Sequence, residues 1–223
     1  MKLIIANRAY SSWSLRGWLA AKLSGLPFTT EVMPMDTPGW DSAAAKGDIP
    51  SGKVPVLWDG GEPVWDSMAI LLWLSDKGGH DRFWPRDLHA RKLAYAMAAE
   101  MHAGFLSLRK ACPMNLKLRF PDFAAPQDAL ADAARIDALW SQARSRFGEE
   151  LDEPYLFGHF CAVDVMYAPI VFRFAHYGLP LSPQAQAYVA AMQAHPWMQD
   201  WVNEARAETY PMTRYLTEGG VPA

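Results

Sequence analysis

Apolar and polar positions change rhythm once along this chain, near residue 85. Before it, short apolar runs alternate with helical stretches. Leu3-Ile4-Ile5-Ala6 reads as a strand, and Ser14 to Ser24 follows as a helix with Leu15, Trp18, Leu19 and Leu23 on one face. Gly25 and Pro27 end that helix. Phe28 to Met33 alternates as a strand does, and Thr37 to Pro50 reads as a loop with a short helical piece around Ser42–Lys46. Val56-Leu57-Trp58, the turn Asp59-Gly60-Gly61 and Pro63-Val64-Trp65 predict a hairpin, closed by a helix from Asp66 to about Lys77. After a Gly78-Gly79 linker running to Pro85 the strand signals stop. Leu88–Ala111, Pro126–Phe147 and Ala162–Tyr177 predict long helices, and two shorter ones start at Ser182-Pro183 and at Pro196, where proline suits a first turn.

The chemistry is concentrated in the first part. Val54-Pro55 lies between the Gly-containing loop Ser51-Gly52-Lys53 and an apolar run, so it predicts a bend into a strand. An X-Pro bond adopts cis far more readily than any other. The N–H and C=O of Val54 would then face outward, ready for an extended peptide laid along the edge. Eleven residues after Pro55 comes Asp66-Ser67, at a helix start. Backbone N–H groups there suit a carboxylate, and the Asp66 side chain suits an ammonium. Together they describe a site for a small zwitterionic peptide. Ser11, Ser12 and Ser14 sit where strand, polar loop and helix start meet. Helix capping explains such serines. So does stabilisation of a thiolate, by a hydroxyl donor and by the positive end of the helix dipole.

The segment Ser51–Leu74 (SGKVPVLWDGGEPVWDSMAILLWL) resembles the glutathione-binding half of a cytosolic glutathione transferase. Ser11-Ser12-Trp13-Ser14-Leu15-Arg16 is similar to the Ser-Ser-Cys-Ser-x-Arg motif of the zeta class, with Trp13 in the Cys position. The resemblance implies a thioredoxin-like, glutathione-binding domain over residues 1–80, a linker at 81–87, and an all-α helical bundle domain with the substrate pocket over 88–223. It implies glutathione held by Trp13, Lys53, Val54, Pro55, Asp66 and Ser67, and a thiolate stabilised by Ser11 with Ser12 beside it. A one-residue shift in the helix start exchanges those two roles. No Cys precedes residue 112, which argues against mixed-disulfide chemistry. The zeta resemblance places Asn115 near the substrate and glutathione; Arg109, from a basic stretch, and Met114, as core or pocket wall, complete the expected substrate pocket. Tyr155–Asp164 resembles the family's capping box with Cys161 in place of the hydroxyl residue, so Asp164 is expected to carry the capping.

Composition narrows the classes. A net charge of −3 gives no reason to expect nucleic acid or an anionic membrane as partner. The apolar run at the start is too short for a signal peptide, and Met68–Leu74 is too short to span a bilayer. Cys112 and Cys161, the 2 cysteines, form no ligand cluster, so no metal is expected. They read as free thiols in a reducing cytoplasm, a disulfide between them being the other reading.

Between Arg109 and Arg119 four basic residues occur with no acidic one. If that stretch lines the site, an anionic substrate is favoured. If it is a solvated helix end, the cations serve the negative dipole. Three functions follow from the resemblance: glutathione transfer to a small electrophile, a zeta-like cis–trans isomerase of the maleylacetoacetate type, or a binding module that retains the fold. The first asks for little energy, since lowering a thiol pKa by about two units takes about 2.7 kcal/mol. A homodimer is expected from the same resemblance.

Overall fold

The structure is a computed structural model that describes residues 1–37, 39–40, 47–149, 151, 153–210, 212 and 219–223. The expected helical piece at Ser42–Lys46 lies outside the described residues. Strand β1 (Lys2–Ile5) is central to a four-stranded sheet of order β2-β1-β3-β4. β2 (Thr29–Val32) runs parallel to it, in register Lys2 with Thr29. β3 (Val56–Asp59) pairs antiparallel with β1, Leu3 opposite Leu57. β4 (Glu62–Val64) completes the hairpin across Gly60 and Gly61, both at positive φ. Helices α1 (Ser12–Ser24) and α2 (Ser67–Gly78) pack against the sheet, and their apolar side chains join one core with Leu3, Ile5 and Leu57. α1 is buried nearly all round because a second layer of helices covers its other side.

That layer is mostly helical, as the sequence predicts. After the one-turn α3 (His80–Phe83) come α4 (Leu88–Ala103), α5 (Leu106–Ala111) and α6 (Gln127–Ala143), the last running into a π-helical turn at Arg144–Gly148. α7 (Ala162–Tyr177), α8 (Pro183–Ala194) and α9 (Pro196–Ala207) follow. A thioredoxin-like unit followed by helices is therefore the observed architecture. Two details differ from expectation. A two-stranded ribbon of β5 (Leu118–Arg119) and β6 (Val221–Pro222) joins the helical part to the chain end. The run Leu88–Ala111 is two helices, not one. It breaks at Gly104 and at Phe105, whose φ is 57°, a left-handed conformation costly for an aromatic residue. A Cβ on Gly104 would stand 2.7 Å from the Glu100 carbonyl oxygen.

α7 forms the centre of the helical layer, buried along almost its whole length. Its start is held by Asp164: one carboxylate oxygen accepts from the Cys161 N–H at 2.8 Å, the other from the Leu156 N–H at 3.3 Å and the Tyr188 hydroxyl at 3.0 Å. Burial raises the Asp164 carboxyl above the ordinary carboxylate range, against those donors. Cys112 and Cys161 are free and buried. Burial pushes the Cys112 thiol up to about 11.

The loop between β1 and α1 is held from both layers. Asn7 Oδ1 accepts from the Met35 N–H at 2.8 Å. The Ala9 carbonyl accepts from Leu116 N at 3.0 Å, and the Arg8 carbonyl from Trp201 Nε1 at 3.1 Å. Near the end of the chain, the Glu208 carboxylate accepts from the N–H groups of Arg8 at 2.8 Å and Ala9 at 3.3 Å.

Candidate functional site

That loop leads directly to Ser11, the N-cap of α1. Its Oγ accepts from the Ser14 N–H at 3.3 Å and lies 2.8 Å from Ser14 Oγ, while Ser14 Oγ accepts from the Ala6 N–H at 3.0 Å. Ser12 opens the helix, and its hydroxyl makes no hydrogen bond among the described residues. Ser11 and Ser12 are largely buried and line a cavity of about 600 Å3. The helix start that the sequence put at Ser14 thus falls two residues earlier.

The opposite lip is the bend at Val54-Pro55, whose peptide is cis. Neither the N–H nor the C=O of Val54 has a hydrogen-bond partner among the described residues, so this backbone edge is open to the cavity. Pro55 packs against α1, where a Cβ on Gly17 would meet Pro55 Cγ at 2.7 Å. Lys53 is exposed at the rim.

Asp66 caps α2 with one carboxylate oxygen, 2.9 Å from the Met68 N–H and 3.3 Å from that of Ala69. The other oxygen is 3.0 Å from His102 Nε2, on α4. Capping in this form leaves the N–H of Ser67, first in the helix, for a ligand. Ser67 Oγ is likewise buried at the cavity wall, with no partner among the described residues. An unpaired buried hydroxyl costs free energy unless a ligand satisfies it.

Trp13 lines the cavity between the two layers. The guanidinium carbons of Arg16 and Arg109 lie 4.7 and 4.6 Å from its ring centroid, and the His102 ring meets it edge-on at 5.4 Å. Stacking on an indole partly offsets the desolvation of a cation. Arg16 needs that, since it is buried and, among the described residues, both terminal nitrogens are unpartnered and only Nε is bonded, to the Met166 carbonyl at 2.8 Å. Burial, with Arg173 and Arg109 nearby, lowers its pKa.

The helical layer contributes Arg109, Lys110, Met114 and Arg173 to the wall. Arg109 also donates to the Gly104 carbonyl at 3.2 Å, bridging the α4–α5 break. Burial lowers its pKa as well. Among the described lining residues Asp66 is the one carboxylate, facing cations at Lys53, Arg109, Lys110 and Arg173. Of the expected basic stretch, Lys117 and Arg119 do not line the cavity; the Lys117 ammonium bonds the Glu208 carbonyl.

Asn115 is buried and is not among the residues that line the cavity; its Oδ1 accepts from the N–H groups of Lys117 at 2.9 Å and Leu118 at 3.1 Å. Arg173 was not expected. It lies on α7 with Nε donating to the Cys112 carbonyl at 2.8 Å. The signal that could have found it is a lone arginine inside an otherwise apolar helix. Tyr10, next to Ser11 in the same loop, and Met35, which no local motif marks, also line the cavity.

A thioredoxin-like sheet followed by helices is a fold this chain shares with solved glutathione transferases. A crystal structure of a glutathione transferase homolog from Burkholderia with bound glutathione superposes with a TM-score of 0.67, covering 93% of this chain and 98% of that one at 19% identity. Residues 10–77 match the glutathione S-transferase N-terminal domain family. In sequence, the chain is 30% identical over 142 residues to glutathione S-transferase theta-1 of Mus musculus, covering 60% of this chain and 58% of the relative. It is 34% identical over 96 residues to glutathione S-transferase Z1 of Arabidopsis thaliana, 42% of each chain. The chain thus spans about half the length of the curated relatives it matches.

Proposed function

We propose that this protein is a glutathione transferase. Glutathione lies along the Val54 edge, its γ-glutamyl carboxylate takes the N–H and Oγ of Ser67, and its ammonium takes Asp66. Lys53 and Trp13 close the rim over it, and Pro55 sets the bend. A serine hydroxyl at the start of α1, Ser11 or Ser12, donates to the sulfur and holds it as thiolate. The thiolate attacks an electrophilic carbon, forming the C–S bond as the leaving group departs with its electron pair. The observation that carries the reading is the convergence of an open Val54 edge, an unpartnered Ser67 hydroxyl and two serine hydroxyls on one cavity. Glutathione-bound relatives of the same fold support it.

Titration calorimetry of glutathione tests the reading, followed by ultraviolet titration of the bound thiol. Binding with ionisation near neutral pH is the expected result. Binding without turnover of any electrophile would favour a non-catalytic module, and no binding would remove the reading altogether.

Arg109, Lys110 and Arg173 support an anionic electrophile, because guanidinium pairs carboxylates in a fixed fork. They also favour the second reading, an isomerase in which the thiolate adds to a double bond, the bond rotates and the thiolate leaves. Faster turnover of a maleyl-type dicarboxylate than of a neutral aryl halide would select it. A cytoplasmic homodimer belongs to the same proposal. Exposed Trp65, Leu72 and Trp73 supply apolar surface for a second copy, and light scattering at micromolar concentration reads the oligomeric state.

A further inference from the structure

We propose that Ser14 is a positioning residue whose hydroxyl aims the proton of Ser11 into the cavity. The inference rests on the transferase reading and goes further, by choosing between the two serines. The Ala6 N–H donates to Ser14 Oγ at 3.0 Å, Ser14 Oγ lies 2.8 Å from Ser11 Oγ, and Ser11 Oγ accepts from the Ser14 N–H at 3.3 Å. One proton lies between the two hydroxyl oxygens, and the distance alone does not say whose it is.

Burial decides ownership. Ser14 is fully buried, and among the described residues Ser11 Oγ is the one acceptor within reach of its hydroxyl. Were Ser11 the donor, the Ser14 proton would be buried with nothing to accept it, at its full desolvation penalty. Ser14 therefore donates. Ser11 Oγ then receives both the N–H and the O–H of Ser14, and its own proton is left for the cavity that Ser11 lines.

Two consequences distinguish Ser11 from Ser12. Each hydroxyl that accepts a hydrogen bond becomes a better donor, so Ala6 acts on Ser14 and Ser14 on Ser11 in series. The Ser11 proton also has a fixed direction, whereas the Ser12 hydroxyl, with no partner among the described residues, must be ordered when the thiolate arrives. A donor fixed beforehand loses nothing to reorganisation.

A double-mutant cycle tests this, read as the pKa of bound glutathione thiol by ultraviolet titration. In Ser14→Ala the thiol pKa is expected to rise by about one unit, about tenfold less thiolate at neutral pH, with glutathione still bound. In a Ser11→Ala background the same change is expected to add little, and Ser14→Thr, which keeps the hydroxyl, to restore ionisation. Equal ionisation in wild type and Ser14→Ala overturns the proposal, as does an undiminished Ser14→Ala effect without Ser11. A wild type that binds no glutathione overturns the transferase reading instead. Proton ownership is readable by NMR of the wild type without ligand or variant. A slowly exchanging hydroxyl proton on Ser14, close to the Ser11 β-protons, is expected. One carried by Ser11 and pointing at Ser14 overturns the proposal even if no variant folds.

Discussion

Ser67 shows how much one side chain can leave undone for a ligand. Its hydroxyl is buried and unpartnered, and its N–H is the one that the Asp66 cap does not take. Ser67→Ala is therefore expected to weaken glutathione binding about tenfold, measured by calorimetry, while folding stability stays level or rises, because an unsatisfied buried group is removed. A loss of stability instead would mean that the hydroxyl has a protein partner. Residues of this kind were legible in the sequence. Ser11, Ser12, Asp66 and Ser67 stand at helix starts, and Val54 stands before a proline, so local spacing sufficed to find them. Arg173 and Met35 were harder to read, because they reach the cavity from elements distant in sequence from the serine loop. Asn115 stands outside the cavity lining, its Oδ1 accepting from the N–H groups of its own turn, which sequence position alone does not show.

At the scale of elements, the contact between α1 and the Val54 bend depends on a missing side chain. A methyl group on Gly17 would press on Pro55 at 2.7 Å, against a rigid ring that cannot rotate away. Gly17→Ala is expected to lower stability by about 1–3 kcal/mol, as overpacking does. It should also raise the KM for glutathione, since the displaced bend carries the Val54 edge. Steady-state kinetics and urea unfolding read the two effects separately. α7 depends on Asp164, which takes three donors inside the core. Asp164→Ala would leave the N–H groups of Leu156 and Cys161 and the Tyr188 hydroxyl buried without an acceptor. The expected cost is about 3 kcal/mol, seen as a lower urea midpoint at unchanged slope. The starts of α8 and α9 could be read directly from their prolines, and the span of α7 from its apolar run. The break at Gly104–Phe105 could not, because residues on both sides favour helix and a lone glycine is tolerated inside one; the left-handed Phe105, at φ 57°, reveals it.

For the molecule as a whole, stability should depend on pH through buried histidine. His176, near the end of α7, gives its Nδ1–H to the carbonyls of Asn115 at 2.8 Å and Leu118 at 3.1 Å. Burial lowers its pKa below the ordinary 6.5; Arg119 and Arg206 add to that, and the two carbonyls oppose it. Burial lowers His195 as well. Over the interval between the folded value and about 6.5 the unfolded chain binds protons that the folded one does not. Stability is thus fully present above about pH 6.5 and declines as pH falls below it. Urea midpoints between pH 7.5 and 5.5 are expected to follow that slope, and His176→Asn, which keeps a donor but does not titrate, to flatten it. An unchanged slope would assign the effect to other groups.

The grip of Glu208 on the amides of Arg8 and Ala9 also has a consequence in time. A ribosome delivers every residue of the recognisable motif, from Ser11 to Ser67, more than a hundred residues before Trp201. Trp201 and Glu208, which fasten the loop ahead of Ser11, emerge only well after it. The segment made first is secured last, so a nascent chain can display the complete motif long before it has a finished cavity.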